Sequence, residues 1–95
     1  MYFEWDPQKD KINRKKHHID FETASRVFDD EFRIEIYDAN HSELEDRFIT
    51  IGKINDFLTI VVVAYTMRNQ FIRIISARKA TEAERSEYYG SKEEC

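Results

Sequence analysis

The sequence predicts an α+β domain: N-terminal helices packed on an antiparallel sheet of about four strands, followed by a C-terminal helix. Three observations carry that reading. Apolar residues recur at helical spacing over residues 21–28. The period switches to two from Arg33 onward. Thr81 with Glu84 then forms a capping box ahead of the last segment. At 95 residues the chain has room for one core, assigned to residues 1–90, with 91–95 expected to fray.

Residues 2–5 alternate aromatic and polar groups and suit a short opening strand. Asp6-Pro7 reads as a helix N-cap followed by proline at the first helical position, where its missing N–H costs nothing. The helix through about Lys16 has Ile12 as its only aliphatic residue, so Ile12 and the alkyl stems of Lys and Arg are expected to hold it down. Asp20 can cap a second helix whose Phe21, Ala24, Val27 and Phe28 share one face.

Ile34 and Ile36 alternate with Arg33, Glu35 and Tyr37, the pattern of a half-buried strand. Residues 38–42 form a turn-rich break, and Arg47 to Ile54 is the next strand, with a connection near Asn55-Asp56. Phe57 to Thr66 is almost continuously apolar and reads as a central strand covered on both faces. Met67-Arg68-Asn69-Gln70 is a turn in which Asn69 tolerates positive φ. Phe71 to Ser76 closes the meander, with Phe71, Arg73 and Ile75 on one face. The last helix is expected to end near Gly90.

No apolar run approaches the roughly 20 residues of a membrane helix, and the N-terminus lacks a basic segment followed by an apolar one. The single cysteine, Cys95, excludes an intrachain disulfide. A cytoplasmic protein with no membrane partner is the simple reading. Net charge is −4, which by itself argues against a nucleic-acid binder. The charges are unevenly spread, however. Lys9 to Lys16 holds five basic residues and one acid, and Arg47 to Lys79 holds six basic residues against Asp56 alone. A weakly acidic chain can still present one basic face.

Six segments in order resemble one family. They are Phe3-Glu4-Trp5-Asp6; Asn13-Arg14-Lys15-Lys16-His17 with Ile19-Asp20-Phe21-Glu22; Val27-Phe28-Asp29-Asp30; His41-Ser42 with Glu45, Arg47-Phe48-Ile49 and Ile51-Gly52; Tyr65-Thr66, Arg68 and residues 72–78; and Ala80-Thr81 with Glu84-Arg85 and Tyr88. Together they resemble the BrnT toxins from residue 3 to residue 88. The main departure is His18, where the family usually has glycine; a left-handed backbone there costs a histidine about 1 kcal/mol. The resemblance implies a RelE-like fold and RNA cleavage without a metal or other cofactor. It also implies a ribbon-helix-helix antitoxin as partner, a 2:2 complex, and operator DNA contacted only through the antitoxin.

Cleavage of that kind uses the substrate's 2′-OH to attack the neighbouring phosphate. The protein must help remove a proton and stabilise the extra charge on the phosphorane. Arginine suits the second task, because its rigid fork grips two phosphate oxygens and stays charged. Arg78 leads the candidates, read as lying just past the last strand, followed by Arg68 and Arg47; Arg73 is the one most open to a purely structural role. Histidine is the default acid–base group, and His17 can serve either as that or as a helix C-cap. His41 reads better as a turn residue. Lys16, Arg73, Lys79, Tyr65 and Tyr88 are candidate RNA contacts, although strand core suits Tyr65 and helix packing suits Tyr88. No spaced His or Cys pattern points to a metal. The competing class is a small module that binds nucleic acid or protein without cutting it.

Overall fold

The computed structural model describes residues 1–54 and 59–93, the last three as backbone alone. Strand β1 (Tyr2–Glu4) is followed by helix α1 (Pro7–His17), the single turn α2 (Phe21–Ala24) and a 3-10 segment, Ser25–Asp29. Strands β2 (Ile34–Tyr37), β3 (Arg47–Ile54), β4 (Thr59–Arg68) and β5 (Phe71–Lys79) precede helix α3 (Glu82–Glu93). Among the described residues no helix is long and apolar enough to cross a membrane.

The sheet has five strands in the order β1-β5-β4-β3-β2. The meander β2-β3-β4-β5 is antiparallel as expected, but β1 joins β5 in parallel, so the sheet is mixed. A three-residue strand carries too little pattern to announce its partner or direction. The central position of β4 does follow from its composition. Val61, Val63 and Tyr65 face one core with Ile72, Ile74 and Ala77, under Phe21, Ala24, Val27 and Phe28. Ile60 and Val62 face a second core with Ile51 and Tyr88, under α3.

Asp6 caps α1 by accepting from Gln8 N–H at 2.8 Å, and Asp20 caps α2 by accepting from Thr23 N–H at 2.6 Å. Ile12 does not anchor α1: it is 61% exposed, and the inward residue is Asn13, 6% exposed. Asn13 Nδ2 donates to the carbonyls of Ile19 (2.9 Å) and Ala77 (2.8 Å), and its Oδ1 accepts from Ala77 N–H at 3.1 Å. The parallel pairing of β1 stops at Glu4 opposite Arg73. Beyond it, the amide of Asn13 occupies the open edge of β5 as a strand would. A polar residue therefore does what the apolar pattern assigned to Ile12.

The second predicted helix is an α turn running into a 3-10 segment. Phe21, Ala24 and Val27, all fully buried, are spaced by three, the period at which 3-10 side chains eclipse. Gly52 permits this packing: a Cβ there would lie 2.7 Å from Val27 Cγ2 and 3.0 Å from Arg33 Cβ. His18 has φ 62° and ψ 26°, the left-handed cap expected where the family has glycine, and Asn69 has φ 59° as expected.

Several boundaries move. Strand β4 continues through Arg68, so the turn is only Asn69-Gln70, and β5 continues through Lys79. Arg78 is thus inside the strand. Ile36 is exposed on edge strand β2. The α3 helix continues past Gly90 to Glu93, while residues 94–95, with the connection at Asn55-Asp56 and the expected strand start at Phe57, lie outside the described residues.

Candidate active site

Cross-strand register places the cations. Arg47 on β3 and Arg73 on β5 both lie opposite Thr66 on β4. Directly opposed residues share a face, so the three form one row across the sheet. Arg68, two residues beyond Thr66, lies on the same face. A bulge at Ile75 breaks the alternation of β5 and returns Ser76 and Arg78 to that face as well, opposite Ala64 and Val62. Helix α3 covers the end carrying Ile51, Ile60 and Val62. The end carrying the Arg47–Thr66–Arg73 row borders a cleft of about 360 Å³ whose walls include Asn40, His41, Glu45, Arg47 and Thr66.

The row has an unusual centre. Thr66 is 1% exposed, and its Oγ1 has no hydrogen-bond partner among the described residues. A buried hydroxyl without a partner calls for a physical explanation, and a ligand acceptor is one. Arg73 Nη1 lies 3.4 Å from Glu4 Oε2, a long and half-exposed pair. Arg68 binds both oxygens of Glu45, at 3.0 and 3.2 Å, and this contact holds the Glu45 carboxyl below its usual range and the guanidinium above its own. Arg47 has no carboxylate at ion-pair distance among the described residues.

His41, read from sequence as a turn residue, does sit in a 3-10 turn (Ala39–His41) but lines this cleft. Its Nδ1 is 2.8 Å from Asp38 Oδ2. A carboxylate only accepts, so Nδ1 donates to Asp38 and Nε2 is the ring nitrogen turned away from that bond. The signal for this pair was the Asp38-x-x-His41 spacing in the turn-rich break, of which only His41 belongs to a segment matched to the family.

The remaining candidates fall elsewhere. Arg78 is held by Glu84 of α3 through two bonds of 2.7 and 2.9 Å, at the covered end of the face. That contact pulls the Glu84 carboxyl down to about 2. His17 and Lys16 line a groove between α1 and β5, away from the cleft. Lys79 is exposed at the end of β5, on the opposite face. Tyr65 and Tyr88 are corrections. Tyr65, 8% exposed, packs between Phe28 and Phe48 on the other face and donates its hydroxyl to Glu35. Tyr88 is 1% exposed and donates to Asp30 Oδ2 at 2.6 Å. Burial first, then the carboxylate each one bonds, raises both phenols above their ordinary range. Neither ring offers a surface on which a base can stack.

Asp30, marked in the sequence only as the end of the Val27-Phe28-Asp29-Asp30 segment, is a hub. It accepts from Lys53 N–H (2.8 Å), Phe32 N–H (3.0 Å) and the Tyr88 hydroxyl, tying the 3-10 segment to β3 and α3. Burial pushes its carboxyl up, but these donors outweigh burial and leave it lowered. Among the described residues no three His, Cys, Asp or Glu side chains converge as a cation site.

The fold has a precedent. The crystal structure of the Brucella abortus ribonuclease toxin BrnT superposes with a TM-score of 0.62 at 24% identity, covering 86% of this chain and 99% of that one. That likeness establishes the fold. No curated protein matches the sequence. The profile of the family described as "Ribonuclease toxin, BrnT, of type II toxin-antitoxin system" matches residues 5–84. The chain therefore belongs to the BrnT family of ribonuclease toxins of type II toxin–antitoxin systems.

Proposed function

We propose that this chain cuts RNA without a metal ion at the open end of the α3 face, arresting growth, and that a ribbon-helix-helix antitoxin silences it by covering that end. The observation that carries the site is the Arg47–Thr66–Arg73 row, two arginines opposed across the sheet to a buried hydroxyl with no partner among the described residues. In the proposed step the 2′ oxygen attacks the adjacent phosphorus while His41 Nε2 takes its proton, with Asp38 holding the imidazole. Arg47 and Arg73 bind the non-bridging oxygens. A phosphate that draws the two guanidiniums off the sheet uncovers the Thr66 hydroxyl, which then donates to it. The bond from phosphorus to the 5′ oxygen breaks, the 5′ oxygen takes a proton from water, and a 2′,3′-cyclic phosphate remains. Arg68, bonded to both oxygens of Glu45, is assigned the part of holding that wall of the cleft. Arg78, already committed to Glu84, is assigned a structural part.

A toxin must be almost fully occupied to be harmless, so the antitoxin complex is expected to be nanomolar or tighter, with an interface of standard size or larger. Ribbon-helix-helix proteins pair through their own DNA-binding strands. That favours two toxins with two antitoxins, and operator DNA touched by the antitoxin alone. The net charge of −4 suits a toxin that stays off the operator.

The test is cleavage of a single-stranded RNA by the purified chain in EDTA. Arg47→Ala, Arg73→Ala and His41→Ala should each lower kcat by about tenfold or more. Arg78→Ala should leave kcat within about twofold and lower the melting temperature. Activity that vanishes on chelation and returns with a divalent ion refutes the metal-free step. A folded protein that binds RNA and never cuts it is the non-catalytic module instead.

A further inference from the structure

Helix α1 carries Lys9, Lys11, Arg14, Lys15 and Lys16, and none of them has an ion-pair partner among the described residues. Two of them, Lys9 and Lys16, share a groove of about 200 Å³ with Ile12 and His17, its other wall being Ile75 and Ser76 of β5. No carboxylate lines it. The lysines stand seven residues apart, about 10 Å along the helix. Ile12 projects between them, exposed although it is the only aliphatic residue of α1. The groove is rigidly placed, because the Asn13 amide locks α1 onto Ala77 next door.

Register connects this groove to the cleft. Ser76, in the groove wall, lies opposite Ala64 on the same face as Thr66 and Arg73. Ser76 is three positions beyond Arg73 on β5, about 10 Å of strand. An extended nucleic-acid strand leaving the Arg47–Thr66–Arg73 row along β5, past the Glu4 paired with Arg73, reaches the groove at Ser76 and Ile75.

We infer that the α1–β5 groove is a second RNA subsite, which grips the backbone next to the cut phosphate through Lys9 and Lys16 and packs a base against Ile12. It rests on the cleft being where RNA is cut. Single-stranded RNA is the occupant because the groove presents cations around one apolar side chain, the combination that binds backbone and base together. A flanking subsite of this kind makes affinity depend on RNA length.

The experiment uses the full chain with the double variant Lys9→Gln and Lys16→Gln, both exposed positions that keep helix propensity. Binding is read by fluorescence anisotropy of 2′-O-methyl RNA, which cannot be cut by its own 2′ oxygen, as a trimer and a decamer. Wild type should bind the decamer more tightly than the trimer. The variant should lose about tenfold on the decamer and nothing on the trimer, and its salt slope should be shallower by about 1.4. Equal losses on both lengths, or none, overturn the subsite. So does polyglutamate of equal charge competing as well as RNA, because the groove is then a site for an acidic protein segment. Unmodified RNA tells the two readings apart. Length-dependent binding through these lysines without any cleavage removes the catalytic role of the cleft and keeps the groove. Normal cleavage with length-independent binding removes the groove alone.

Discussion

Replacing Thr66 by valine should make the protein more stable and less active, and the opposed signs are what make the variant informative. The Thr66 hydroxyl is buried to 1% exposure and has no partner among the described residues. A hydroxyl taken from water without a hydrogen bond costs about 1–3 kcal/mol by mutational measures. Valine has the same shape, puts a methyl where the oxygen was, and suits a central strand, so it adds neither cavity nor clash. Recovering that cost should raise the melting temperature by about 4–8 °C per kcal/mol in a domain of this size. Cleavage should fall by about 10–100-fold, as when one donor to a phosphorane oxygen is lost. Urea unfolding followed by circular dichroism, beside a single-turnover cleavage assay, reads both. A destabilised variant would show that the hydroxyl has a partner in the folded chain. A stabilised variant with unchanged cleavage would show that it never meets the substrate.

Asn13→Ala removes three buried hydrogen bonds and orphans two carbonyls and an N–H, so it should cost about 3–5 kcal/mol in urea unfolding, while Ile12→Ala, at an exposed site, should cost less than about 1. His18→Gly relieves a left-handed residue and should stabilise by about 0.5–1 kcal/mol in the same assay. Arg78 holds the Glu84 carboxyl down to about 2, so the ion pair contributes fully above the ordinary carboxylate range and is lost as pH falls through about 2. Because the Arg78 side chain is 41% exposed, solvent screening limits this to about 1 kcal/mol. Glu84→Gln should accordingly flatten the stability profile between about pH 4 and 2 in acid titrations.

Sequence by itself determined the elements whose causes are local. The caps at Asp6 and Asp20, the capping box at Thr81 and Glu84, the positive φ at Asn69 and the left-handed cap at His18 all follow from neighbouring atoms. The two-sided burial of β4 was legible because an uninterrupted apolar run has no polar face to give to water. The family resemblance was legible for the same reason, since its segments are the local signals in order. Only the tertiary structure decided what depends on register between distant strands. It aligned Arg47 and Arg73 on Thr66, and it sent Arg78 to Glu84. It also buried Tyr65 and Tyr88, and brought His41 into the cleft with Asp38 behind it. A bulge at one residue of β5 set which cations share a face, and no period in the sequence announces a bulge. Asn13 shows the limit most plainly. Hydrophobic patterning assigns an amide to the surface, whereas an unpaired strand edge 64 residues away makes the same amide the anchor of its helix.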